Sequence, residues 1–256
     1  MTDVARTKEG TKLLFKKIKL VRTKPADLKK IMDAYDLPIT VTNGWNETLI
    51  YNCAKHTVNI PNLDWLYEQG CDPHIVNKKG FNTYSGCLKW NHKKNKNLVL
   101  TWLHEHNIRL QREYEDLPEL HNMIICYSDP DVYSWILDTF GKESLNNVDD
   151  EGNTPLHISC HQKTKHNMNY ACTWLLKNDA NPNIQNNYGE TPLHLSAKSG
   201  FSNCTKYILN ASTTDKTICN NDGHTPLQVI VQNKKQIKDN LNTWPGNYER
   251  TLSLLL

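Results

Sequence analysis

Four side chains that could bind a metal ion lie close together in the sequence: His157, Cys160, His161 and His166. Imidazole nitrogens and thiolate sulfurs are the usual zinc ligands in proteins. His157 and His161 have the His-x-x-x-His spacing, but no Cys-x-x-Cys pair, which is typical of zinc sites, accompanies them. His157 also has a counterpart, His194, in an almost identical stretch. This recurrence favours a structural role that repeats along the chain.

Catalytic motifs are not found elsewhere in the sequence. It contains no Gly-rich phosphate loop, no Ser-nucleophile motif and no His-Glu-x-x-His. We therefore predict a protein that is not an enzyme and that has no catalytic residue, cofactor or metal. The eight cysteines are scattered along the 256 residues. They are predicted to be small buried residues with reduced thiols, because a chain of this length does not need disulfides.

Charge and hydropathy limit the class of protein further. The net charge is +3 and 22% of residues are charged, so the chain has neither a polyacidic tail nor a strong nucleic-acid signature. No apolar run approaches the roughly 20 residues that a membrane span requires. The first residues lack the apolar core of a signal peptide. These features predict a cytoplasmic protein in a reducing compartment.

The histidines belong to a repeated stretch that would position them. Residues 152–160, Gly-Asn-Thr-Pro-Leu-His-Ile-Ser-Cys, return as residues 189–197 and, more weakly, as residues 223–231. Thr-Pro predicts the start of a helix, since Thr caps free N–H groups and Pro suits the first turn. The apolar residues that follow would face neighbouring units. One unit cannot bury such a face alone, so the pattern predicts a stacked array.

The Thr-Pro-Leu-His core and the spacing of its copies resemble the ankyrin repeat, whose unit is about 33 residues long. The resemblance covers nearly the whole chain and is most specific at 152–209. It implies an all-α fold, an ankyrin-repeat solenoid of five to six helix-turn-helix repeats with short β-hairpin fingers and a degenerate N-terminal cap. It also implies that the histidine ties adjacent turns together and that the array binds other proteins, although a fold alone does not define a function.

The repeat boundaries follow from the same register. Residues 1–40 are predicted to form a basic N-terminal segment and capping repeat, with residues 1–10 frayed. Binding of nucleic acid or acidic lipid by this segment is a less favoured alternative. The ankyrin-repeat domain spans 41–256, and an insert is predicted at 233–247. Its repeats lie near 41–76, 77–112, 113–148, 149–185, 186–219 and 220–256.

Tryptophans recur at one position of the second helix of successive units. Trp65, Trp102, Trp135 and Trp174 each precede a pair that includes an aliphatic residue. One aromatic per repeat predicts core packing between successive second helices. Three further tryptophans fall outside this register and are predicted to be exposed: Trp45, Trp90 and Trp244.

The resemblance implies that partners bind to the finger tips and the inner face of the first helix of each unit. Counting from each glycine, or from Asp116, predicts Trp45, Phe81, Leu117, Asn153, Glu190 and His224 at the tips. The same count predicts Cys53, Lys89, Ile125, His161, Lys198 and Gln232 on the inner helices. The predicted partner-binding residues are Trp45, Phe81, Lys78, Lys79, Lys89, Asp150, Glu151, His161, Tyr188, Glu190, Lys198 and His224.

Two properties of this predicted surface bear on binding. Trp45 and Phe81 would be neighbours, and exposed aromatics form binding hot spots; packing between fingers is the alternative. The second finger is basic and the third and fourth are acidic, which would hold a partner with separated charges in one direction.

The preferred function is a scaffold or inhibitor that occupies a partner protein on its concave surface. Two alternatives remain. One is a substrate adaptor of a ubiquitin ligase, or a pathogen effector acting in the host cytoplasm or nucleus. The other is the ankyrin module of a larger enzyme.

The C-terminal leucines form an apolar edge without a polar cap, which arrays usually need. Leu252, Leu254, Leu255 and Leu256 cannot all face inward at helical spacing. We therefore predict that the natural protein continues beyond Leu256, or that a partner or a second copy of the chain covers this edge. Folding of the insert with Trp244 over the edge is less favoured.

Overall fold

A computed structural model describes residues 3–92, 94, 96–109, 120–121, 123, 130–160, 168–240 and 247–256. Their regular structure is helical, and none of these described residues belongs to a strand. The chain divides into two compact units. The first unit is Met1–Glu115 with Asp131–Trp135, and the second is Asp116–Pro130 with Ile136–Leu256.

Helices of the first unit come in consecutive pairs. Its helices are α1 (Asp3–Lys17), α2 (Pro25–Tyr35), α3 (Leu49–His56), α4 (Ile60–Glu68), α5 (Thr83–Trp90) and α6 (Asn97–Glu105). Helix α7 (Pro130–Phe140) contains residues of both units. The second unit continues with a 3₁₀-helix (Lys142–Asn146), α8 (Pro155–Ser159), α9 (Met168–Lys177), α10 (Pro192–Lys198), α11 (Ser202–Leu209), α12 (Pro226–Asn240) and α13 (Asn247–Leu255).

The N-terminal pair α1 and α2 is more ordered than the sequence predicted. Residues 3–10 were predicted to be frayed, but they form the first half of α1. Arg6 donates a hydrogen bond to the carbonyl of Ala34 (2.7 Å). Gly10 lets the ring of Tyr35 pack directly on the backbone of α1, where a Cβ atom would clash. These contacts hold the start of α1 against α2.

First helices of the repeats begin where the sequence predicted, because their caps are local. Thr48 accepts a hydrogen bond from the N–H of Tyr51 (3.2 Å), and Asn82 accepts one from Ser85 (3.0 Å). Thr154 accepts one from His157 (3.4 Å), with Pro155 in the first turn. Each cap satisfies a donor that would otherwise lack a helical partner.

Two of the four tryptophans of the second helices pack between repeats, as predicted. Trp102 and Trp135 are each 3% exposed. The indole N–H of Trp102 donates to Asp64 on α4 (2.6 Å), and that of Trp135 donates to Thr101 on α6 (3.0 Å). Trp65 and Trp174 are half-buried. In the first unit, each indole therefore joins its helix to the second helix of the preceding repeat.

The C-terminal part departs from the prediction in one place. Helix α12 continues to Asn240, so the predicted insert 233–247 begins as helix; Trp244 lies outside the described residues. Helix α13 packs against α10, α11 and α12. Leu255 is buried, Leu252 and Leu254 are half-buried, and Leu256 is 83% exposed. Helical spacing predicted that the four leucines cannot all face inward, and their different burial agrees with this.

Gly189 and Gly80 offer a matched test of how closely the turns between helices approach one another. Both have a positive φ, 71° and 74°. A Cβ atom on Gly189 would clash with the side chain of Asn221 and lie 2.6 Å from its backbone nitrogen, whereas a Cβ on Gly80 meets nothing within 4 Å. We expect Gly80→Ala to cost only the backbone strain, about 1 kcal/mol. Gly189→Ala should cost about 2 kcal/mol or more.

Chemical denaturation of the two variants, followed by circular dichroism, measures this difference. Equal midpoints for Gly80→Ala and Gly189→Ala would show that the close approach at Asn221 is not maintained in solution.

Candidate partner-binding surface

Five turns that precede first helices share one construction, which we call a finger: 43–47, 77–81, 149–153, 186–190 and 220–224. In finger 186–190, the side-chain oxygen of Asn186 accepts hydrogen bonds from the N–H groups of Tyr188 and Glu190, both 3.0 Å. The N–H of Asn186 donates to the carbonyl of Glu190 (2.9 Å). Asn43, Asn77, Asp149 and Asn220 make the same three bonds in their own fingers. Each finger is thus held by its first residue.

We call the third residue of a finger its tip and the fifth its base. The tips are Trp45, Lys79, Glu151, Tyr188 and Asp222, and the bases are Glu47, Phe81, Asn153, Glu190 and His224. The fourth residue has a positive φ in every finger. It is glycine in four of them and Asn46, with φ 61°, in the first.

Asn46 overturns part of the predicted register. The sequence was counted from Gly44, which made Trp45 equivalent to Glu190. Because Asn46 occupies the left-handed position, Trp45 is equivalent to Tyr188 instead. The two aromatics are 58% and 60% exposed. They are therefore tip residues in the first and the second unit respectively.

Base residues contact the residue eight positions later, near the end of the first helix. Glu47 forms an ion pair with Lys55 (2.8 Å), and Glu190 forms one with Lys198 (3.0 Å). In the other two bases with described partners, the ammonium of Lys89 lies 4.6 Å from the ring centre of Phe81, and His224 contacts Gln232 (2.7 Å). These side chains already have a partner within their own repeat.

The ion pair at Glu47 affects the carboxyl group. Burial raises its pKa, but hydrogen bonds from Lys55 and Asn43 outweigh the burial and hold the pKa below its usual value. Glu47 is therefore charged at neutral pH. Its charge is compensated within the repeat.

The predicted exposed pair of Trp45 and Phe81 is wrong for Phe81. Phe81 is 6% exposed, because Lys89 lies over its ring and Trp90 packs edge-on against it at 5.0 Å. Trp90, predicted to be exposed, is half-buried, and Lys55 and Lys89 lie 4.8 and 5.2 Å from its ring centre. Phe81 and Trp90 thus form a covered aromatic pair behind the finger.

Neighbouring fingers are joined by main-chain hydrogen bonds. In the first unit, the N–H of Lys78 donates to the carbonyl of Trp45 (2.9 Å). In the second unit, Asn187 donates to Glu151 (3.0 Å) and Asn221 donates to Tyr188 (3.1 Å). The spacing of neighbouring tips is therefore set by backbone contacts within each unit.

The repeated histidines tie one finger base to the next, as the resemblance implied. His121 bonds to the carbonyl of Asn153 (2.7 Å), His157 to that of Glu190 (2.9 Å) and His194 to that of His224 (2.9 Å). The N–H of Thr154 donates to Nδ1 of His157 (3.0 Å), so Nε2 carries the proton that Glu190 accepts. The structural interpretation of His157 is confirmed.

The predicted partner-binding residues separate into three groups. Trp45, Lys78, Lys79, Asp150, Glu151 and Tyr188 are exposed on the fingers. Lys89 and Lys198 are exposed but contact their bases, Phe81 and Glu190 are buried, and His224 is half-buried. His161, Leu117 and Ile125 lie outside the described residues.

The sequence analysis missed the tip Asp222 and the pair of Glu47 and Lys55. Counting from the recurring Asn or Asp at the start of each finger, instead of from glycine, would have identified both.

The exposed tips carry opposite charge in the two units. Trp45 has the ammonium of Lys79 at 5.5 Å from its ring centre, with Lys78 beside it. In the second unit, a cleft of about 390 Å³ lies along the fingers. Its lining includes Glu151, Tyr188, Glu190, Lys198 and Asp222. Three carboxylates thus face one lysine in this cleft, next to the exposed Tyr188.

These fingers, paired helices and bridging histidines define the class of protein. The chain contains ankyrin repeats: the family model of ankyrin repeats (3 copies) matches residues 161–241. Of the solved structures, the human ASB11 ankyrin repeat domain has the same fold, with a TM-score of 0.54 and 14% identity. The match covers 95% of this chain and 97% of that domain.

Particular relatives among curated proteins share shorter stretches. Ankyrin repeat domain-containing protein 37 of Xenopus tropicalis is 30% identical over 42% of this chain and 62% of its own length. Mouse synphilin-1 is 28% identical over 39% of this chain, which is 10% of that protein. The nuclear factor NF-kappa-B p110 subunit of Drosophila melanogaster is 36% identical over 25% of this chain and 6% of its own length. The chain thus spans less than two thirds of each relative.

A membrane-spanning helix has to be both long and apolar. Across the described part of the chain, none combines the length and the apolar character needed to cross a bilayer.

Proposed function

We propose that this chain is a scaffold that binds a partner protein through its finger tips, and that the base residues support the fingers. Ankyrin repeats indicate a scaffold for protein–protein interaction. The observation that carries the proposal is the exposure of Trp45 and Tyr188, 58% and 60%, on turns held by hydrogen bonds from their own N–H groups to the first residue of the finger. A large aromatic on such a turn loses little conformational freedom when it binds.

The charges beside the two aromatics determine which kind of partner segment each unit would bind. Trp45 with Lys78 and Lys79 fits an acidic segment of a partner. Tyr188 with Glu151 and Asp222 fits a basic segment. Complementary charge around an aromatic anchor speeds association and selects the partner.

The proposal also covers catalytic activity and cellular compartment. We expect it to work without catalysis of its own and in a reducing cytoplasm. Seven described cysteines are free, and all but Cys219 are buried, which fits a compartment that keeps thiols reduced. The adaptor, effector and larger-enzyme alternatives remain predictions.

Replacing the tips is expected to weaken binding while leaving the fold unchanged. Trp45→Ala and Tyr188→Ala should each reduce affinity by about 10- to 30-fold, since truncation of an aromatic hot spot costs about 2 kcal/mol. Affinity capture from cell lysate with tagged wild type and quantitative mass spectrometry would identify the partner. Titration calorimetry with the purified partner then measures each variant.

The control is Leu98→Ala on α6, because Leu98 is 53% exposed and lies away from the fingers. It should bind like wild type. Full affinity in both tip variants, or an equal loss in Leu98→Ala, would contradict binding through the tips. Charge reversal at Lys78 and Lys79 should slow association and reduce its salt dependence.

A further inference from the structure

Three buried cysteines converge in the core of the second unit. Cys160 follows α8, Cys172 lies in α9 and Cys204 lies in α11, and each has 0% of its surface exposed. Their three sulfur atoms all lie within 4.8 Å of one another. Among the described residues, this is the one group of three or more potential metal ligands that the structure brings together.

Packing alone does not require sulfur at these positions. Counted from the Thr that caps each first helix, Cys160 is equivalent to Ala54 and Ala197, both fully buried. Counted from the aromatic of the second helix, Cys204 is equivalent to Ala171, also fully buried. Alanine thus fills the same positions in other repeats of this chain. Two of the three thiols that meet here therefore occupy positions where a small apolar residue suffices.

The surroundings of the three sulfurs are nearly dry and offer few other ligands. Ser159 is the polar neighbour: its carbonyl accepts from the thiol of Cys204 (3.5 Å), and its hydroxyl donates to Leu156 (2.8 Å) while lying 4.0 Å from the sulfur of Cys160. No imidazole or carboxylate joins the group in the part of the chain that is described.

We propose that Cys160, Cys172 and Cys204 form a binding site for copper(I), held by three sulfurs in a trigonal arrangement. A metal–sulfur bond of about 2.3 Å places three such sulfurs about 4 Å apart. The observed cluster would have to contract by less than about 1 Å. Thiolate ligands select soft ions such as copper(I) and zinc. Zinc prefers four ligands in a tetrahedron, whereas copper(I) accepts three, which is the number of sulfurs in this cluster.

Binding conserves atoms and charge without any change of oxidation state. Three S–H bonds break, three copper–sulfur bonds form, and the protons pass to solvent. The ion enters and remains as copper(I), so no oxidant or reductant takes part. Because protons are released, affinity for copper(I) should fall as the pH is lowered.

Copper(I) can be delivered as its coloured bicinchoninate complex to the full-length, reduced protein without oxygen. Wild type is expected to withdraw one equivalent and bleach the complex. Cys160→Ala and Cys204→Ala should bind at least about 10-fold more weakly, since each removes one ligand. Both variants should fold, because alanine occupies the equivalent positions. Far-ultraviolet circular dichroism verifies their folding.

Two single-cysteine variants serve as controls. Cys87→Ala removes a buried thiol outside the cluster, and Cys219→Ser removes the exposed one; both should bind copper(I) like wild type. Copper(I) should also raise the melting temperature of wild type and of both controls, and leave that of the cluster variants unchanged. X-ray absorption should show three sulfur neighbours at about 2.3 Å.

Two results would overturn the proposal. One is equal copper(I) uptake by wild type and the cluster variants, which would place the ion elsewhere. The other is uptake of one equivalent of zinc but not of copper(I), measured with a zinc indicator, which would reject the three-coordinate assignment.

Discussion

Trp102→Ala is expected to lower the free energy of unfolding by about 3–5 kcal/mol. The indole of Trp102 stacks on His106 with ring centres 4.1 Å apart and meets the edge of Tyr67 at 5.7 Å. Its N–H also donates to Asp64 on the preceding second helix. Truncation would leave a cavity between two repeats and remove the hydrogen-bond donor of a half-buried carboxylate.

Trp45→Ala is the matched control for Trp102→Ala. Both changes remove an indole from the first unit, but Trp45 is exposed and its side chain is not needed to hold its finger. Its effect on stability should stay within about 0.5 kcal/mol. Urea denaturation followed by tryptophan fluorescence and circular dichroism measures both. An unchanged midpoint for Trp102→Ala would reject the packing of this indole between repeats.

Acid is expected to destabilise the protein through its buried histidines. Burial lowers the pKa of His157 to about 4, although its hydrogen bond to Glu190 and the nearby charge of Asp149 oppose the shift. The bond from Thr154 to Nδ1 also requires the neutral ring. Burial lowers the pKa of His121 and His194 as well.

The direction of the pH dependence follows from the difference in the pKa of His157 between the folded and the unfolded protein. An unfolded histidine takes up a proton near pH 6.5, whereas folded His157 does so only near pH 4. Stability is therefore complete above pH 6.5 and falls as the pH drops toward 4. At pH 5 the loss from His157 alone should be about 2 kcal/mol.

His157→Gln provides the non-titrating control for this prediction. In the sixth repeat, Gln228 occupies the equivalent position and accepts a hydrogen bond from the N–H of Thr225 (2.8 Å). Glutamine can thus hold the cap without a charge change. Denaturation midpoints from pH 7.5 to 5 should fall less steeply in the variant than in wild type. Parallel curves would show that His157 does not remain neutral in the folded state.

Helix starts and repeat register were predictable from the sequence where local chemistry determines them. Thr154 and Thr191 are the N-cap residues of their helices, and Pro155 and Pro192 follow them. The four-residue motif Thr-Pro-Leu-His is therefore enough to predict where each helix begins. The bridging histidines were recognised for the same reason. Nδ1 of each accepts a hydrogen bond from the N–H of the Thr three residues earlier, which is a local contact.

The tip register was counted from the wrong residue, and the cysteine cluster has no local signal in the sequence. A glycine is the usual residue at positive φ, but asparagine also tolerates it, so Gly44 was mistaken for the position that Asn46 holds. Phe81 was expected to be exposed because it follows Gly80, from which the tip position was counted, yet Lys89 covers it from two turns further along. The sulfurs of Cys160 and Cys204 meet only through packing between repeats, for which the sequence has no local signal.

The asparagine that holds each finger also bears on how this chain can evolve. Because a side-chain oxygen of Asn186 and of each counterpart accepts from the main-chain N–H groups at the tip and base, the turn does not depend on which side chain stands at the tip. The chain itself already carries Trp, Lys, Glu, Tyr and Asp at that one position. With partner binding at the tips, as proposed, mutations there would change which protein is recognised without a loss of folding stability.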